Sequence, residues 1–283
     1  MDPAVRARLE QVYSEHPLTA DAVLDRVRRS RGTLDGITAR DLAEAAGGGL
    51  TDQNHAGGAA ANRALAAAVG LAPGWAVLDI ATGLGGTPRL LAEEFGCRCH
   101  GVELTTGRFR DAVRLTRLVG LDDRVTFSHG DFMDVDVPGR PFDLAVCQGA
   151  SMHFPDVTAF LRRAATHLRP GGWLAIEDAA IVNPPSTPLG ERNLERLLHI
   201  WNGRFQRRDD WSALLRDAGF HFVRMDDLTA VAAHDLETLI AESRGQRLDR
   251  VSADERQGWE LGLAFLRAGT LASLRILATR EIS

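Results

Sequence analysis

Short apolar runs recur through the middle of the chain, each too short for a helix and too apolar for a loop. The first, Ala76–Ile80, follows Pro73-Gly74. Similar runs lie at about 98–104, 125–130, 142–148 and 173–179. Helical stretches separate most of them, and the clearest is 157–168, where apolar residues recur at i, i+3, i+4 and i+7. Strands that alternate with helices predict βαβ units in a parallel sheet with both faces covered.

The N-terminal part of the chain has a helical pattern instead. Residues 1 to about 48 carry apolar positions at helical spacing, with a third, short helix expected over 38–46. Three glycines end that helix, and a polar, glycine-rich loop then runs to Gly58. We therefore expect a helical cap and loop at 1–58, followed by an α/β core at 59–283.

The C-terminal part of the core mixes further strands with helices. Strands are predicted at 220–228 and 271–279. Two helical segments, at about 183–208 and 235–267, interrupt the alternation of strands and helices. We interpret both as lid insertions that close over a substrate.

Charge and cysteine content narrow the class of protein. The net charge is −5 and the sequence pI is about 6.0, so the basic face typical of nucleic-acid binding is not expected. Three cysteines without a disulfide framework are typical of a reducing compartment. No signal-peptide core follows the charged first residues, and no apolar stretch approaches the roughly 20 residues of a membrane span. We expect a cytoplasmic protein without a nucleic-acid partner or a membrane span, and leave open whether it forms a homodimer.

The segment after the first predicted strand carries the strongest functional signal. It runs Asp79-Ile80-Ala81-Thr82-Gly83-Leu84-Gly85-Gly86 and leads into a predicted helix over 87–95. Ligands of doubly wound sheets bind at the carboxyl ends of strands, where glycines let the backbone approach a ligand closely. The G-x-G-x-x-G pattern of dinucleotide folds does not occur here, and the carboxylate of Asp79 would repel a pyrophosphate. An acid at this position suits a cationic ligand, such as a sulfonium or an ammonium group.

Acids also follow the next two predicted strands. Glu103 lies twenty residues after Gly83, where a carboxylate can accept hydrogen bonds from both hydroxyls of a ribose. The carboxylate of Asp131 would accept from an adenine amino group while Phe132 packs on the ring. Considered alone, Asp131 serves equally well as the cap of the next turn. NAD also contains ribose, so Glu103 does not distinguish NAD from a sulfonium nucleoside. The preference for the sulfonium nucleoside depends on Asp79.

Taken in order, these motifs resemble those of the Rossmann-like (class I) S-adenosylmethionine-dependent methyltransferases. The matching pieces are Asp79-x-Ala81-x-Gly83-x-Gly85, Glu103, Gly130-Asp131, Phe142-Asp143-Leu144-Ala145-Val146 and Leu168-Arg169-Pro170-Gly171-Gly172. They cover about residues 70–180. The resemblance implies a doubly wound, mostly parallel sheet of seven strands with an antiparallel last strand, and S-adenosyl-L-methionine as the cofactor. The family usually has glycine at the position of Ala81, where alanine would crowd the cofactor slightly without abolishing binding.

This resemblance implies cofactor contacts from the ends of the first four strands, at Asp79, Ala81, Thr82, Gly83, Gly85, Glu103, Leu104, Asp131, Phe132 and Gln148. The segment 52–58 resembles the stretch ahead of the core in small-molecule methyltransferases of the sarcosine and dimethylglycine type. The segment 201–205, together with Trp211, resembles enzymes that methylate carbon in isoprenoid or lipid chains. The two likenesses point to different substrates, so the acceptor atom (nitrogen, oxygen or carbon) stays open.

Candidate groups for the acceptor side lie in the glycine-rich loop, beyond the fourth and fifth strands, and in the first lid insertion. His153 and His55 are the candidate catalytic bases, and a base is needed only if the acceptor begins protonated. The candidate substrate contacts are Gln53, Met152, Asp178, Trp201 and Arg204. A merely structural role competes with each assignment, and no cluster with metal-ligand spacing stands out.

The leading interpretation is therefore a methyltransferase that acts on a small molecule. A fold of the same kind that holds S-adenosylmethionine without catalysis would have the same cofactor residues, so the sequence leaves that alternative open. A nicotinamide oxidoreductase is the third alternative, because Glu103 suits any ribose.

Overall fold

The computed structural model describes residues 3–44, 50–139, 141–245 and 251–282. These residues form one sheet of seven strands: β1 (Ala76–Ile80), β2 (Arg98–Glu103), β3 (Val125–His129), β4 (Phe142–Gln148), β5 (Leu168–Ile181), β6 (Phe220–Asp227) and β7 (Leu271–Arg280). Their order is β3-β2-β1-β4-β5-β7-β6. The first five strands pair in parallel, and β7 runs antiparallel to both β5 and β6. The predicted α/β fold is confirmed.

Eleven α-helices accompany the sheet within the described residues. They are α1 (Pro3–Glu15), α2 (Ala20–Arg31), α3 (Ala39–Ala43), α4 (Gly58–Val69), α5 (Gly86–Phe95), α6 (Thr106–Leu118), α7 (Val157–His167), α8 (Pro188–Ile200), α9 (Trp211–Asp217), α10 (Thr229–Arg244) and α11 (Ala253–Arg267). A capping box between Thr38 and Asp41 begins α3, which is shorter than the expected 38–46. The end of that expected helix, 45–46, lies outside the described residues.

Alternate side chains of the central strand pack on opposite faces of the sheet. On β1, Leu78 and Ile80 join the cluster that includes Phe160 of α7, whereas Val77 joins the cluster that includes Leu65 of α4. All five side chains are fully buried. Burying each one contributes roughly 1.5–3 kcal/mol. Burial on both faces holds β1 firmly, so the loop that follows Ile80 begins from a fixed point.

The strand order reverses at β1. The chain proceeds from β1 outward to β2 and β3 and then returns to β4 on the other side of β1. Directly after the strand, Ala81 has a φ of 60°, a conformation that non-glycine residues rarely adopt. Gly83 and Gly85 follow with φ values of 59° and 74°, which glycine adopts without strain. This bend leads into α5 and leaves a crevice at the carboxyl ends of the strands.

The N-terminal helices pack against α5 and α6. Val23 of α2 lies in one cluster with Leu84 and with Leu115 of α6. The buried Arg89 of α5 donates through Nη2 to Asp52 Oδ2 at 2.8 Å and to the Leu84 carbonyl at 2.6 Å. Both side chains of this ion pair are fully excluded from solvent. The pair fixes the segment around residue 52 beside the start of α5. A division of the chain at residue 58 stays a prediction.

Each of the two expected insertions contains helices in the residues that the structure describes. The first contains α8, and the second contains most of α10 together with α11, since α10 begins at Thr229 rather than at 235. Leu197 of α8, Leu236 of α10 and Phe265 of α11 pack in one cluster. No helix in the described parts of the chain has the length and apolarity needed to cross a membrane. The closing movement of these segments stays a prediction.

Candidate active site

One cleft lies above the carboxyl ends of β1, β2, β3 and β4, and it measures about 890 Å³ including its open mouth. The loop after β1 and the segment 52–55 form part of its wall. Helix α1 contributes Leu9 and Tyr13. The cleft therefore occupies the point where the strand order reverses, which is where doubly wound sheets bind their ligands.

Two buried carboxylates face this cleft from neighbouring strands. Asp79 is 3% exposed and Glu103 is 5% exposed. Oε2 of Glu103 accepts from the Gly83 amide at 2.9 Å, and Oε1 accepts from the Thr105 amide at 2.8 Å and from its hydroxyl at 2.7 Å. Asp79 accepts from the hydroxyl of Thr82. The acid of β2 is thus tied to the loop after β1, which fixes both acids relative to each other.

Burial raises the pKa of both acids. The pKa of Asp79 rises to about 7 because its carboxylate is removed from water, and the nearby charge of Glu103 adds to the effect. Burial also raises the pKa of Glu103, against the opposing influence of the Arg108 charge. A cation placed beside Asp79 would favour the ionised carboxylate. The two acids therefore form an electrostatic site for a positively charged ligand.

An apolar surface adjoins the acids at the end of β3. Leu104, Phe132 and Phe154 line the cleft here, and the rings of Phe132 and Phe154 meet edge to face at 6.3 Å between centroids. Asp131 lines the same region, and its Oδ1 accepts from the Met133 amide at 2.9 Å. A mainly apolar surface with one carboxylate suits the flat ring and exocyclic amine of a nucleobase.

A buried network of amide side chains forms another part of the wall. Gln148 Nε2 donates to Asn62 Oδ1 at 3.0 Å and to Glu177 Oε2 at 2.8 Å. Its Oε1 accepts from the hydroxyl of Thr87 at 2.8 Å. Because these bonds fix both ends of the Gln148 amide, this side chain presents a defined surface to the cleft.

His55 lies within the same network. Its Nε2 is 3.2 Å from Gln53 Oε1, and its Nδ1 is 3.6 Å from Glu177 Oε2. Burial lowers the pKa of His55, and the Glu177 charge opposes that shift. The second oxygen of Glu177 pairs with the buried Arg275. Glu177 is thereby neutralised by a cation, which leaves His55 as a neutral imidazole next to the cleft.

His153 lies in the cleft between a phenol and a backbone carbonyl. Its Nδ1 is 3.0 Å from the carbonyl oxygen of Asn202, which can only accept, so Nδ1 carries the proton of the neutral ring. Nε2 is then the acceptor for the hydroxyl of Tyr13 at 2.9 Å. Asn202 has a φ of 48°, so a strained backbone holds the carbonyl in place. Burial lowers the pKa of His153 and raises the pKa of Tyr13 to about 12.

The structure brings twelve of the predicted site residues together as lining of this one cleft. They are Gln53, His55, Asp79, Ala81, Thr82, Gly83, Glu103, Leu104, Asp131, Phe132, Gln148 and His153. They come from the segment 52–55 and from the ends of β1 to β4, as the motifs indicate. Their individual roles stay predictions.

Five predicted site residues lie outside the lining of this cleft, and their contacts with ligands stay predictions. A Cβ at Gly85 would meet the Phe127 ring at 2.7 Å, so this glycine allows close packing rather than ligand approach. Asp178 is engaged below the surface, where Oδ2 accepts from the Ser151 hydroxyl at 2.6 Å and the Met152 amide at 3.1 Å. Met152 itself packs, through its side chain, into the α8 and α11 cluster.

The last two of these five belong to the segment after α8. Trp201 packs in the same cluster, and a Cβ on Gly258 of α11 would meet its Nε1 at 2.7 Å. Arg204 is exposed, and its amide donates to the Met152 carbonyl at 2.8 Å. Trp201 thus packs against the helices, whereas the backbone of Arg204 joins the segment to the turn after β4.

Tyr13 and Arg108 are lining residues that the sequence motifs do not identify. Tyr13 is the only tyrosine of the chain, yet its helix has an ordinary amphipathic pattern. Arg108 is one of several arginines in α6, whose pattern indicates a solvated face. Each reaches the cleft through packing between distant segments, so no local spacing signals its role.

Comparisons with known proteins agree with this geometry. Residues 77–172 match a family model described as a methyltransferase domain. The chain is 28% identical to 27-O-demethylrifamycin SV methyltransferase of Amycolatopsis mediterranei over 206 residues, which are 72% of this chain and 75% of that protein. It is 32% identical to sterol 24-C-methyltransferase of Eremothecium gossypii over 126 residues, 42% of this chain but only 34% of that protein. The chain thus spans about a third of the length of that longer relative.

Solved structures share the fold. A protein of Galdieria sulphuraria described as a sarcosine dimethylglycine methyltransferase superposes with a TM-score of 0.70 at 20% identity, covering 79% of this chain and 85% of that one. The sheet order and the cleft at its switch point define a methyltransferase fold of the Rossmann-like type. The chain thus carries a class I S-adenosylmethionine-dependent methyltransferase domain, as its motifs predict. The predicted enzyme class, a methyltransferase, and the predicted cofactor, S-adenosylmethionine, are confirmed.

Proposed function

We propose that the protein transfers the methyl group of S-adenosylmethionine to a small-molecule acceptor bound in the same cleft. The observation that carries this proposal is the pair of buried acids, Asp79 and Glu103, at the ends of neighbouring strands beside Gly83. Asp79 would repel the anionic pyrophosphate of a dinucleotide, whereas a nucleoside with a sulfonium and an ammonium group matches the pair. A nicotinamide oxidoreductase is disfavoured for the same reason.

The described residues fit the cofactor group by group. Glu103 would accept from the ribose hydroxyls, and Asp131 with Phe132 would hold the adenine. Asp79 lies where it attracts the positive end of the cofactor. A Cβ at Gly83 would meet only Arg108 Nη1, at 3.6 Å, so the backbone leaves open space for a ligand. When bound, the cofactor supplies an electrophilic methyl group already activated by a sulfonium.

The protein's own contribution is to align the reactants and exclude water. Positioning of this kind lowers a barrier by about 7–11 kcal/mol in favourable cases. Tyr13 and Leu9 bring α1 over the cleft, and Glu10 of the same helix accepts from the Thr106 amide at 3.2 Å. His16, directly after α1, lies 3.4 Å from Glu255 of α11. Helix α1 and the residue after it therefore contact α6 and α11, and we propose that the helix acts as a cover for the bound reactants.

We propose His153 as the proton acceptor for an acceptor that begins protonated. The neutral ring presents Nε2 to the Tyr13 hydroxyl, so a proton passed to the phenol oxygen can be matched by transfer of the phenol proton to Nε2. The acceptor thereby loses a proton and His153 gains one. His55 remains the alternative base, because it also lines the cleft as a neutral imidazole.

The acceptor side of the cleft favours a small polar substrate. Gln53, His55 and Gln148 present amide and imidazole groups to it. The alternative of carbon methylation on an isoprenoid or lipid chain depended on the segment 201–205, and Trp201 packs into a helical cluster away from the cleft lining. We also propose a cytoplasmic location without a nucleic-acid partner, and pairing into a homodimer stays a prediction.

Calorimetry and a methyl-transfer screen test this function together. S-adenosylhomocysteine should bind the purified chain, and NADH should not. Methyl-labelled S-adenosylmethionine is then offered with panels of amines, carboxylates, phenols and prenyl diphosphates. Transfer to at least one panel supports catalysis. Binding of S-adenosylhomocysteine without transfer to any panel would favour the non-catalytic binding module.

A further inference from the structure

The cleft contains a buried cation with unused hydrogen-bond donors. Arg108, in the first turn of α6, is 6% exposed and lines the cleft. Its guanidinium carbon lies 4.0 Å from the centroid of the Tyr13 ring. Among the described residues, neither its Nε nor its Nη2 has a hydrogen-bond partner.

The other buried arginines of the described residues have direct partners for their terminal nitrogens. Arg89 pairs with Asp52 and Arg275 pairs with Glu177, whereas Arg26 donates to the carbonyl oxygens of Asp41, Leu42 and Glu44. The charges of Glu103 and Glu255 interact with that of Arg108, since it opposes the rise in the pKa of both carboxyls. Both oxygens of Glu103 already accept from amides and a hydroxyl, and the Nε and Nη2 donors of Arg108 stay unpaired. Unpaired donors on a buried group are unfavourable, and a guanidinium has donors arranged in a planar fork that matches an oxyanion. Two donors of Arg108 are thus available to an anion.

The surroundings of Arg108 place that anion within the ligand site. Its Nη1 would lie 3.6 Å from a Cβ built on Gly83, so the guanidinium stands beside the glycine loop where the backbone approaches a ligand. Tyr13 covers one face of the guanidinium through its ring and donates its hydroxyl to His153. Arg108 therefore lies next to both the nucleoside cradle and the proposed base.

We infer that Arg108 binds an oxyanion, a carboxylate or phosphate group, carried by a ligand of this cleft. The inference rests on the proposed function for the identity of that ligand. The oxyanion has two possible sources, the carboxylate of the cofactor's amino-acid end or an anionic group of the acceptor. Bidentate pairing of the guanidinium fork with such a group would add both affinity and orientation.

The experiment compares Arg108→Met and Arg108→Lys with the wild-type chain. Arg110→Met is the matched control, because it removes the same charge from an exposed position of the same helix. Calorimetry measures binding of S-adenosylhomocysteine and of its decarboxylated analogue, which lacks only the carboxylate. Thermal unfolding with and without sodium phosphate, in the presence and absence of S-adenosylhomocysteine, probes an oxyanion independently of the cofactor.

Two results support the inference and identify the source. If the cofactor supplies the oxyanion, Arg108→Met weakens S-adenosylhomocysteine about tenfold or more, about 1.4 kcal/mol, and leaves the decarboxylated analogue within about twofold. If the acceptor supplies it, both affinities stay within about twofold, whereas phosphate stabilises the wild-type chain and not Arg108→Met. In either case Arg108→Lys retains part of the effect and Arg110→Met behaves as wild type.

The unfolding temperature without ligands separates binding from a structural role. Removing a buried guanidinium with unpaired donors should leave the unfolding temperature of Arg108→Met equal to or above that of the wild type. A clear fall in that temperature, or unchanged behaviour of Arg108→Met toward every ligand, would overturn the inference. Failure of the wild-type chain to bind S-adenosylhomocysteine would instead count against the proposed function, and the phosphate measurement without cofactor would still test Arg108.

Discussion

The hydroxyl of Tyr13 lies 2.9 Å from Nε2 of His153, although 140 residues separate them in the chain. This contact joins the first helix to the short turn after β4. Because the Asn202 carbonyl fixes the proton on Nδ1, the phenol is the donor and the imidazole is the acceptor. Both residues line the cleft, and under the proposed function the pair would provide a route for a proton out of it.

Replacement of His153 by Gln should lower kcat by roughly 10²–10⁴-fold, the range for loss of a general base. Tyr13→Phe keeps the ring over Arg108 but removes the donor, so kcat should fall while S-adenosylhomocysteine affinity stays within about twofold. Steady-state kinetics with an acceptor from the screen measures both. Loss of activity in His55→Gln, with His153→Gln unaffected, would reassign the base to His55.

Since burial lowers the pKa of His153, the acid limb of its kcat/KM profile should lie below pH 6.5.

Affinity for S-adenosylmethionine should rise with pH across neutrality. Without ligand, Asp79 has a pKa of about 7, so most of its carboxyl groups are protonated below pH 7. A bound cation favours the ionised carboxylate. Tight binding below pH 7 therefore requires Asp79 to release its proton. The association constant should increase about tenfold between pH 6 and pH 8. Calorimetry in buffers of different ionisation enthalpy would detect the released proton. Asp79→Asn should bind more weakly and without this pH dependence, and an identical pH dependence in that variant would reject Asp79 as its source.

Replacing Glu103 by Ala should weaken S-adenosylhomocysteine binding tenfold or more, about 1.4 kcal/mol. The change removes the ribose acceptors and also releases the Gly83 amide, which donates to Glu103 at 2.9 Å. Glu103→Gln retains the size of the side chain and is the informative comparison for ribose recognition. Circular dichroism verifies that each variant is folded. Unchanged affinity in a folded Glu103→Ala protein would show that this acid does not bind the ribose.

Replacing Arg89 by Met should destabilise the fold by about 3–5 kcal/mol, since it leaves the Asp52 carboxylate buried without its partner. Urea unfolding measures the loss. The exposed pair Arg114–Asp21 offers a control, because Arg114→Met should change stability by no more than about 0.5 kcal/mol. Equal effects of the two substitutions would mean that the buried pair does not hold the segment around residue 52.

The strands follow from the sequence because their apolar runs are short and their ends carry turn residues. β1 and β4 begin and end where the pattern predicts. β5 begins at Leu168 rather than 173, since Leu168 pairs with Phe142 before the register shifts beyond it. That early pairing depends on a neighbouring strand, so the local pattern around residues 168–172 could not indicate it.

The juxtaposition of Asp79 and Glu103 was also predictable, because adjacent parallel strands bring their ends to the same edge of the sheet. The cover over the cleft was not. Tyr13 and Arg108 reach the cleft through helix packing, and an amphipathic pattern fixes which face is buried without identifying its partner. The same limitation applies to Trp201, because its aromatic setting in the sequence did not indicate that its side chain packs against helices.

The position of the nucleoside tests the proposed function most directly. A crystal structure of the chain with S-adenosylhomocysteine should place both ribose hydroxyls within hydrogen-bond distance, roughly 2.5–3.2 Å, of the Glu103 carboxylate, with the amino-acid end beside Asp79 and Gly83. A nucleoside bound elsewhere, or a Glu103 carboxylate turned away from the ribose in that complex, would contradict it.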